Sequence, residues 1–281
     1  KPVQQILNAT KKIINGDFNV RIEPMDTFGK RNELDIIIDN FNEMAGELGS
    51  IETLRTDFIS NVSHELKTPL SIIQNYSALM QDERTTDLER KEYSKSIYET
   101  SQNLSNLITN ILKLNKLENQ KIFLETSEYN LSEQLIECLL CFESIWEEKN
   151  INIDVDIEED LMLNADKELT SIIWNNLYSN AFKFTEDSGE VSINAKSENN
   201  FIIVSISDNG CGMSKDTGKH IFEKFYQGDT SHATNGNGLG LALVKRIIDI
   251  MNADIYIEST LGKGTTFTVK LDLNKNKIYN I

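Results

Sequence analysis

The chain has 281 residues, 39% apolar and 26% charged. That suffices for about two packed units of roughly 150 residues each, and it excludes bulk disorder and collagen-like folds. Against 28 lysines and arginines stand 44 aspartates and glutamates, a net charge of −16, and residues 121–281 alone carry 14 basic and 26 acidic side chains, a net of −12. Such a field does not hold a phosphate backbone, so no nucleic-acid partner is expected. A mononucleotide is admissible if a cation and a few local donors offset the repulsion. Cys138 and Cys141 form a C-x-x-C with no second Cys/His pair to complete a zinc set; they read as small apolar packers on a helix rather than a redox pair, and the usage of three cysteines fits a reducing cytoplasm. No apolar run reaches the roughly 18 residues of a membrane span, and there is no signal peptide. Beginning on Lys1, the chain reads as a piece of a longer protein whose upstream part is absent.

Only Pro2, Pro24 and Pro69 interrupt the chain, so long helices are permitted. Val3, Ile6, Leu7, Ile13 and Ile14 recur with a helical period until Asn15-Gly16-Asp17 stops them. A connector with Pro24 and Gly29 follows. Leu34, Ile37, Phe41, Met44, Leu48 and Ile51 then recur at alternating spacings of three and four, a heptad seam. Two short helices around a non-helical connector resemble a HAMP domain, and Asn32-Glu33-Leu34-Asp35 stands where that family has Asp-Glu-Ile-Gly. The helix is expected to continue unbroken to about residue 80 through Ile59, Val62, Leu66, Leu70, Ile73 and Met80. After the polar turn 81–87, a second amphipathic helix runs from Leu88 to Leu117. Such a hairpin buries little alone, so it is expected to dimerise into a four-helix bundle.

From about residue 121 the pattern becomes mixed α/β. Asn130 with Glu133 opens a helix over 131–149. Ile151, Ile153, Val155 and Ile157 alternate as a strand. A helix over 166–185, strands at 190–197 and 201–207, a helix over 239–251 and paired strands at 254–259 and 265–273 complete the expectation. Residues 274–281 read as a loose tail.

Four constellations carry chemistry. The first is Ser63-His-Glu-Leu-Lys-Thr-Pro-Leu70. At about 100° per residue, His64 points away from Val62 and Leu66 and should be exposed. Glu65 is adjacent, Thr68 lies one turn on, and Pro69 should free a helix carbonyl. An exposed neutral imidazole beside a carboxylate is a nucleophile with its base. The second is Asn175-Asn-Leu-Tyr-Ser-Asn-Ala-Phe-Lys-Phe184, in which Asn176 and Asn180 share a helix face. An amide oxygen there suits Mg²⁺ held jointly with phosphates, and Lys183 can meet a phosphate. The third is Ser207-Asp-Asn-Gly-Cys-Gly-Met213, where Asp208 can accept from an exocyclic amine and Gly210 and Gly212 permit close approach. The fourth is Asn235-Gly-Asn-Gly-Leu-Gly240, whose Gly236, Gly238 and Gly240 precede a helix and offer bare amides to an anion.

The first string resembles the H-box of sensor histidine kinases. The others resemble the N-, G1- and G2-boxes of the GHKL-type ATPases, the Bergerat fold that these kinases share with gyrase, the Hsp90 chaperones and MutL-type proteins. Ile221-Phe-Glu-Lys-Phe-Tyr-Gln227 resembles the F-box, and Gly262-Lys-Gly-Thr-Thr-Phe267 the terminal glycine motif. These boxes fall in the family order over residues 55–273. The resemblance makes His64 the phosphoacceptor, with Glu65 orienting or deprotonating it and Thr68 positioning water in dephosphorylation. It places ATP among Asn176, Asn180, Lys183, Phe184, Asp208, Gly210, Gly212, Phe225, Gly236, Gly238, Leu239, Gly240 and Thr265. It assigns Mg²⁺ to Asn180 and a lid to residues 213–238.

The implied architecture is multidomain. All-α helical hairpins form a dimeric four-helix bundle, followed by an α/β sandwich of Bergerat type. A HAMP-like relay covers 1–52, a dimerisation and histidine phosphotransfer domain 53–120, and an ATP-binding catalytic domain 121–273. The implied activity is a protein-histidine kinase of a two-component system that uses ATP and Mg²⁺, with phosphatase activity toward its response regulator. The implied assembly is a homodimer forming the cytoplasmic portion of a plasma-membrane protein, anchored through a segment absent here. One departure from the family is Gln227, where many members have an arginine that reaches the phosphates. Either Lys224 or Lys245 compensates, or lid contact is weaker. A phosphatase-dominant protein, a nucleotide-sensing scaffold and a gyrase-like ATPase are the alternatives; the H-box hairpin argues against the last.

Overall fold

The structure is a computed structural model that describes residues 2–23, 33–119, 124–228 and 236–273. The connector around Pro24 and Gly29, Asn32, the centre of the lid and the tail 274–281 therefore lie outside the described residues. The chain divides into two compact units, Lys1–Gln74 and Asn75–Ile281.

In the first unit, α1 (Pro2–Ile14) precedes α2 (Glu33–Met80). Ala9, Ile22, Ile38 and Phe41 form a small core, with Ile6, Ile13 and Val20 packed on it. The Asn42 amide clamps the incoming chain: Ile22 N–H donates to its Oδ1 at 2.9 Å, and its Nδ2 donates to Ile22 O at 2.8 Å. The buried face of α2 is thus Asp35, Ile38, Phe41 and Ala45, offset from the heptad seam read in the sequence. Of that seam Phe41 is buried, whereas Ile37, Met44 and Ile51 are about half exposed. Leu34 and Leu48 are partly buried. As expected, α2 runs without a break through Pro69.

In the second unit the turn after α2 is held by Arg90 of α3 (Asp87–Asn119), whose guanidinium donates to the carbonyls of Met80, Asp82 and Thr85. Tyr76 stacks on Tyr93. Among the described residues no helix is long and apolar enough to cross a membrane.

β1 (Ser127–Asn130) leads into α4 (Leu131–Leu140). Asn130 caps α4, its Oδ1 accepting from the amides of Ser132 and Glu133, as the sequence pattern requires. The helix expected over 131–149 is broken, because Cys141–Phe142 bends the chain before α5 (Glu143–Glu148). The bend seats Phe142 and Trp146 around Phe182, with Phe142 also against Tyr178. Tertiary aromatic packing overrides a continuous helical period there.

β2 (Asn152–Ile157), β4 (Glu190–Glu198), β5 (Phe201–Asp208), β6 (Asp254–Thr260) and β7 (Gly264–Asp272) form one sheet in the order β2-β4-β5-β7-β6. Only the edge pair β2–β4 is parallel. β3 (Met162–Ala165) pairs with β1 in a separate ribbon; neither strand is evident in the sequence, being four residues long. α6 (Lys167–Phe184), capped by Asp166, packs on β5 and on α8 (Gly240–Ile250), while a short α7 (Lys215–His220) lies within the first part of the lid. Trp174, Tyr178 and Phe182 of α6 are fully buried, each worth roughly 2–3 kcal/mol of transfer free energy. Around them a closed polar network forms: Gln134 Oε1 accepts from Thr170 Oγ1 and Trp174 Nε1, Gln134 Nε2 donates to Lys167 O, and Tyr129 OH shares a proton with Thr170. The result is an α/β sandwich preceded by helical segments.

Candidate functional site

β5 buries alternate residues, Ile202, Val204 and Ile206, and Asp208 is the next in that series. Period-two geometry therefore carries a carboxylate to the core side of the strand's last position. Its Oδ1 accepts from Gly210 N–H at 3.0 Å, and Thr265 N–H also hydrogen-bonds it. Burial pushes its pKa above the ordinary 3.8, and the two backbone donors partly offset this.

The glycines around Asp208 are sterically required. A Cβ on Gly210 would lie 2.2 Å from Phe184 O, and one on Gly212, at φ +59°, would lie 2.1 Å from Thr260 O. Gly212→Ala therefore combines a left-handed backbone with a backbone clash and should cost at least about 2 kcal/mol. Calorimetry should show a fall of roughly 5 °C or more in Tm. The comparison is Gly218→Ala, where a Cβ meets open space; it should leave Tm unchanged or slightly raised.

The polar flank of α6 faces the glycine-rich loop. Asn176 Oδ1 lies 2.5 Å from where a Cβ on Gly240 would stand, and Lys183 Nζ lies 2.5 Å from the same position on Gly236. Lys183 is half-buried, sits over the Phe184 ring at 4.8 Å, and has its pKa lowered by desolvation. Among the described residues no carboxylate pairs with it. Asn176 Nδ2 donates to Ile172 O at 2.8 Å, whereas nothing among the described residues claims the Asn180 amide. Gly238, at φ +64°, accepts from Phe225 N–H at 2.9 Å, so the loop and Phe225 are joined; Phe225 itself holds φ +62°. Leu239, fully buried, caps α8 without a side-chain hydrogen bond, leaving the helix amides open. Thr265 is buried beside Ser259, Oγ to Oγ1 at 2.9 Å.

Close contacts thus link Asn176 and Lys183 to the loop of Gly236, Gly238, Leu239 and Gly240 with Phe225, and link Phe184 to Gly210, Gly212, Asp208 and Thr265, the two sets meeting at Lys183–Phe184; Asn180 lies on the same helix between Asn176 and Lys183. His64, Glu65 and Thr68 belong to the first unit. His64 is exposed, as its helical position requires, and Thr68 Oγ1 donates to His64 O at 3.3 Å. Both lysines offered as alternatives to a lid arginine form ion pairs within the chain. Lys224 pairs with Glu118 at 2.7 Å and Lys245 with Asp249 at 2.8 Å, while Gln227 Nε2 donates to Gly236 O at 2.7 Å. Cys138 is buried and Cys141 exposed, both free thiols.

Two supporting residues escaped the sequence reading. Asn209 Oδ1 accepts from Glu190 N–H at 2.8 Å, pinning the turn to β4. Ser259 Oγ accepts from Met213 N–H and donates to Gly264 O, tying the start of the lid to β7. The available signal was a polar residue continuing the Ile255, Ile257 alternation of β6.

A buried carboxylate, a half-buried lysine and a glycine cradle at a helix start define a nucleotide-type site in the second unit, and the first unit carries an exposed histidine on a helix. Residues 165–275 match the family of histidine kinase-, DNA gyrase B- and HSP90-like ATPases, and residues 54–120 match the His Kinase A (phospho-acceptor) domain. The chain belongs to the bacterial sensor histidine kinases. It is 33% identical over 272 residues to the heme sensor protein HssS of Staphylococcus saprophyticus, covering 96% of this chain and 57% of that protein. The chain thus spans little more than half the length of the relatives it matches. Among solved structures, full-length ShkA in complex with AMPPNP is 27% identical, with a TM-score of 0.58 over 78% of this chain and 45% of that one. Histidine kinase ThkA in complex with response regulator protein TrrA shares the fold at 24% identity, with a TM-score of 0.68 over 81% of this chain and 64% of that one.

Proposed function

We propose that the chain autophosphorylates His64 from ATP and passes the phosphoryl group to an aspartate of a response regulator, acting also as that regulator's phosphatase. The carrying observation is the series of close contacts that joins Asp208, through Gly210 and Phe184, to Lys183 and the glycine-rich loop. Asp208 receives the adenine amine, with Thr265, Gly210, Gly212 and Phe184 shaping that end. Asn176, Lys183, Phe225, Gly236, Gly238, Leu239 and Gly240 surround the phosphates, met by backbone amides and one cation. The donor type also fits Mg²⁺: the Asn180 amide offers a neutral oxygen ligand, which would share the ion with phosphate oxygens. Bound there, Mg²⁺ supplies neutralisation of phosphate charge.

Neutral His64 Nε2 attacks the γ-phosphorus, the N–P bond forms as the bond to the ADP oxygen breaks, and Glu65 takes the ring proton. Thr68 orients water for hydrolysis of the regulator's aspartyl phosphate, which releases inorganic phosphate and the free carboxylate. The exposed apolar positions of α2, Ile59 and Leu70 among them, support a homodimeric bundle. Residues 1–52 act as a HAMP-like relay from a membrane anchor, 53–120 as the dimerisation and phosphotransfer domain, and 121–273 as the catalytic domain on the cytoplasmic side.

A second reading, a nucleotide-responsive scaffold, draws on Gln227, Lys224 and Lys245 all being occupied within the chain. The deciding experiment is incubation with γ-labelled ATP and Mg²⁺. Kinase activity predicts label that survives base and is lost in acid, as a phosphohistidine must be. ATP bound with no label would favour the scaffold.

A further inference from the structure

The C-terminus of α6 is gripped by a single ammonium. Lys149, the residue that ends α5, sends Nζ to Phe182 O at 2.8 Å, Thr185 O at 2.8 Å and Lys183 O at 3.4 Å. An ammonium has three protons to donate and no acceptor capacity, so its whole donor set is committed to one helix end. Those carbonyls are among the ones a helix leaves without internal partners, where the partial negative charge of the peptide dipoles collects. The carbonyl of Lys149 in turn accepts from Ser188 N–H at 2.7 Å. One residue therefore holds both ends of the loop 185–189 that joins α6 to β4.

The gripped segment belongs to the nucleotide site. Between the held carbonyls of Lys183 and Thr185 lies Phe184 O, which accepts from Cys211 N–H and stands against Gly210. Gly210 N–H donates to Asp208. The side chain of Lys183, one residue before Phe184, stands against Gly236. Displacing the end of α6 thus moves the cation of one half of the site and the floor under the carboxylate of the other.

We propose that Lys149 is a positioning residue for nucleotide binding, acting through the α6 terminus on Lys183 and on the Asp208–Gly210 turn. This rests on the reading that Asp208 and Lys183 face ATP. Lys149→Met keeps the aliphatic stem and removes the three donors. ATP affinity of the full chain, measured by titration calorimetry with Mg²⁺ well below the melting temperature, should weaken roughly tenfold. The ATP KM should rise in step, while kcat for His64 labelling at saturating ATP stays within about twofold, since the lost interaction is made equally in ground and transition states. Lys149→Arg should restore only part of the affinity, because a planar fork does not place three donors at one point. Should Lys149→Met not fold, Lys149→Gln, with two neutral donors, makes the same comparison and should bind ATP several-fold more weakly than the parent with kcat within about twofold. A lowered Tm with unchanged ATP affinity would make Lys149 a structural clamp only and overturn the proposal. A parent chain that binds no ATP would instead overturn the site reading on which it rests.

Discussion

His64→Gln is expected to reduce labelling from γ-phosphate ATP by at least about a thousandfold, to background, while ATP affinity stays unchanged. Glutamine keeps a polar side chain of similar reach but has no nucleophilic nitrogen lone pair, so the acceptor is removed and little else. His64 is exposed and its side chain supports no packing, and surface substitutions of this kind usually change stability by under about 0.5 kcal/mol. A loss of label therefore cannot be put down to unfolding, and near-identical melting curves would show it. Neither Thr68, whose hydroxyl is bonded to the His64 carbonyl, nor the unbroken helix around Pro69 depends on the imidazole. The exposed His220, whose Nδ1 lies 2.6 Å from Glu223, is a competing acceptor. Acid-labile label surviving His64→Gln at a substantial level would end the assignment of His64 and direct attention to that lid histidine.

Much of the site was legible because its chemistry is local in sequence. Asn176, Asn180 and Lys183 follow from helical spacing on one segment, and Asp208 follows from alternation along one strand. The glycines announce positions where a Cβ has no room, and Gly212 and Gly238 do hold positive φ. What was not legible is what acts across the chain. Lys149 is merely the last residue of the helix expected over 131–149; only the return of α6 to meet it, 33 to 36 residues on, reveals its contacts. The break at Cys141–Phe142 has no glycine or proline to mark it, because it is dictated by the aromatic cluster with Tyr178 and Phe182. The buried face of α2 is offset from the seam for a related reason. Periodicity locates an apolar stripe, but which side of that stripe is covered depends on the partner, and Asn42 with Ile22 fixes α1 and residues 15–23 over the Ile38 side.

Asp208→Asn separates binding from stability in opposite directions. In the free protein, burial raises the pKa of this carboxyl above 3.8, so ionising it costs the folded state. That cost is absent at pH values below the unfolded-state pKa and is fully present once the pH has risen through the folded one. Asparagine has no charge to desolvate and its oxygen can still accept from Gly210 N–H. The variant should thus melt at the same temperature as the parent or higher at pH 7, with any gain vanishing toward pH 3 to 4. Binding should move the other way. The Gly210 donor holds the amide oxygen, so the NH₂ group takes the remaining position and meets an exocyclic adenine amine donor to donor. A site built to pair a polar group loses heavily when that pairing is inverted, and ATP affinity should fall at least about a hundredfold, about 2.7 kcal/mol. Titration of ATP into parent and variant, with melting curves across pH 3 to 8, measures both arms. A variant that binds ATP within about threefold of the parent would remove Asp208 from the adenine contact. A variant that melts well below the parent at pH 7 would show instead that the carboxylate is needed to hold the turn.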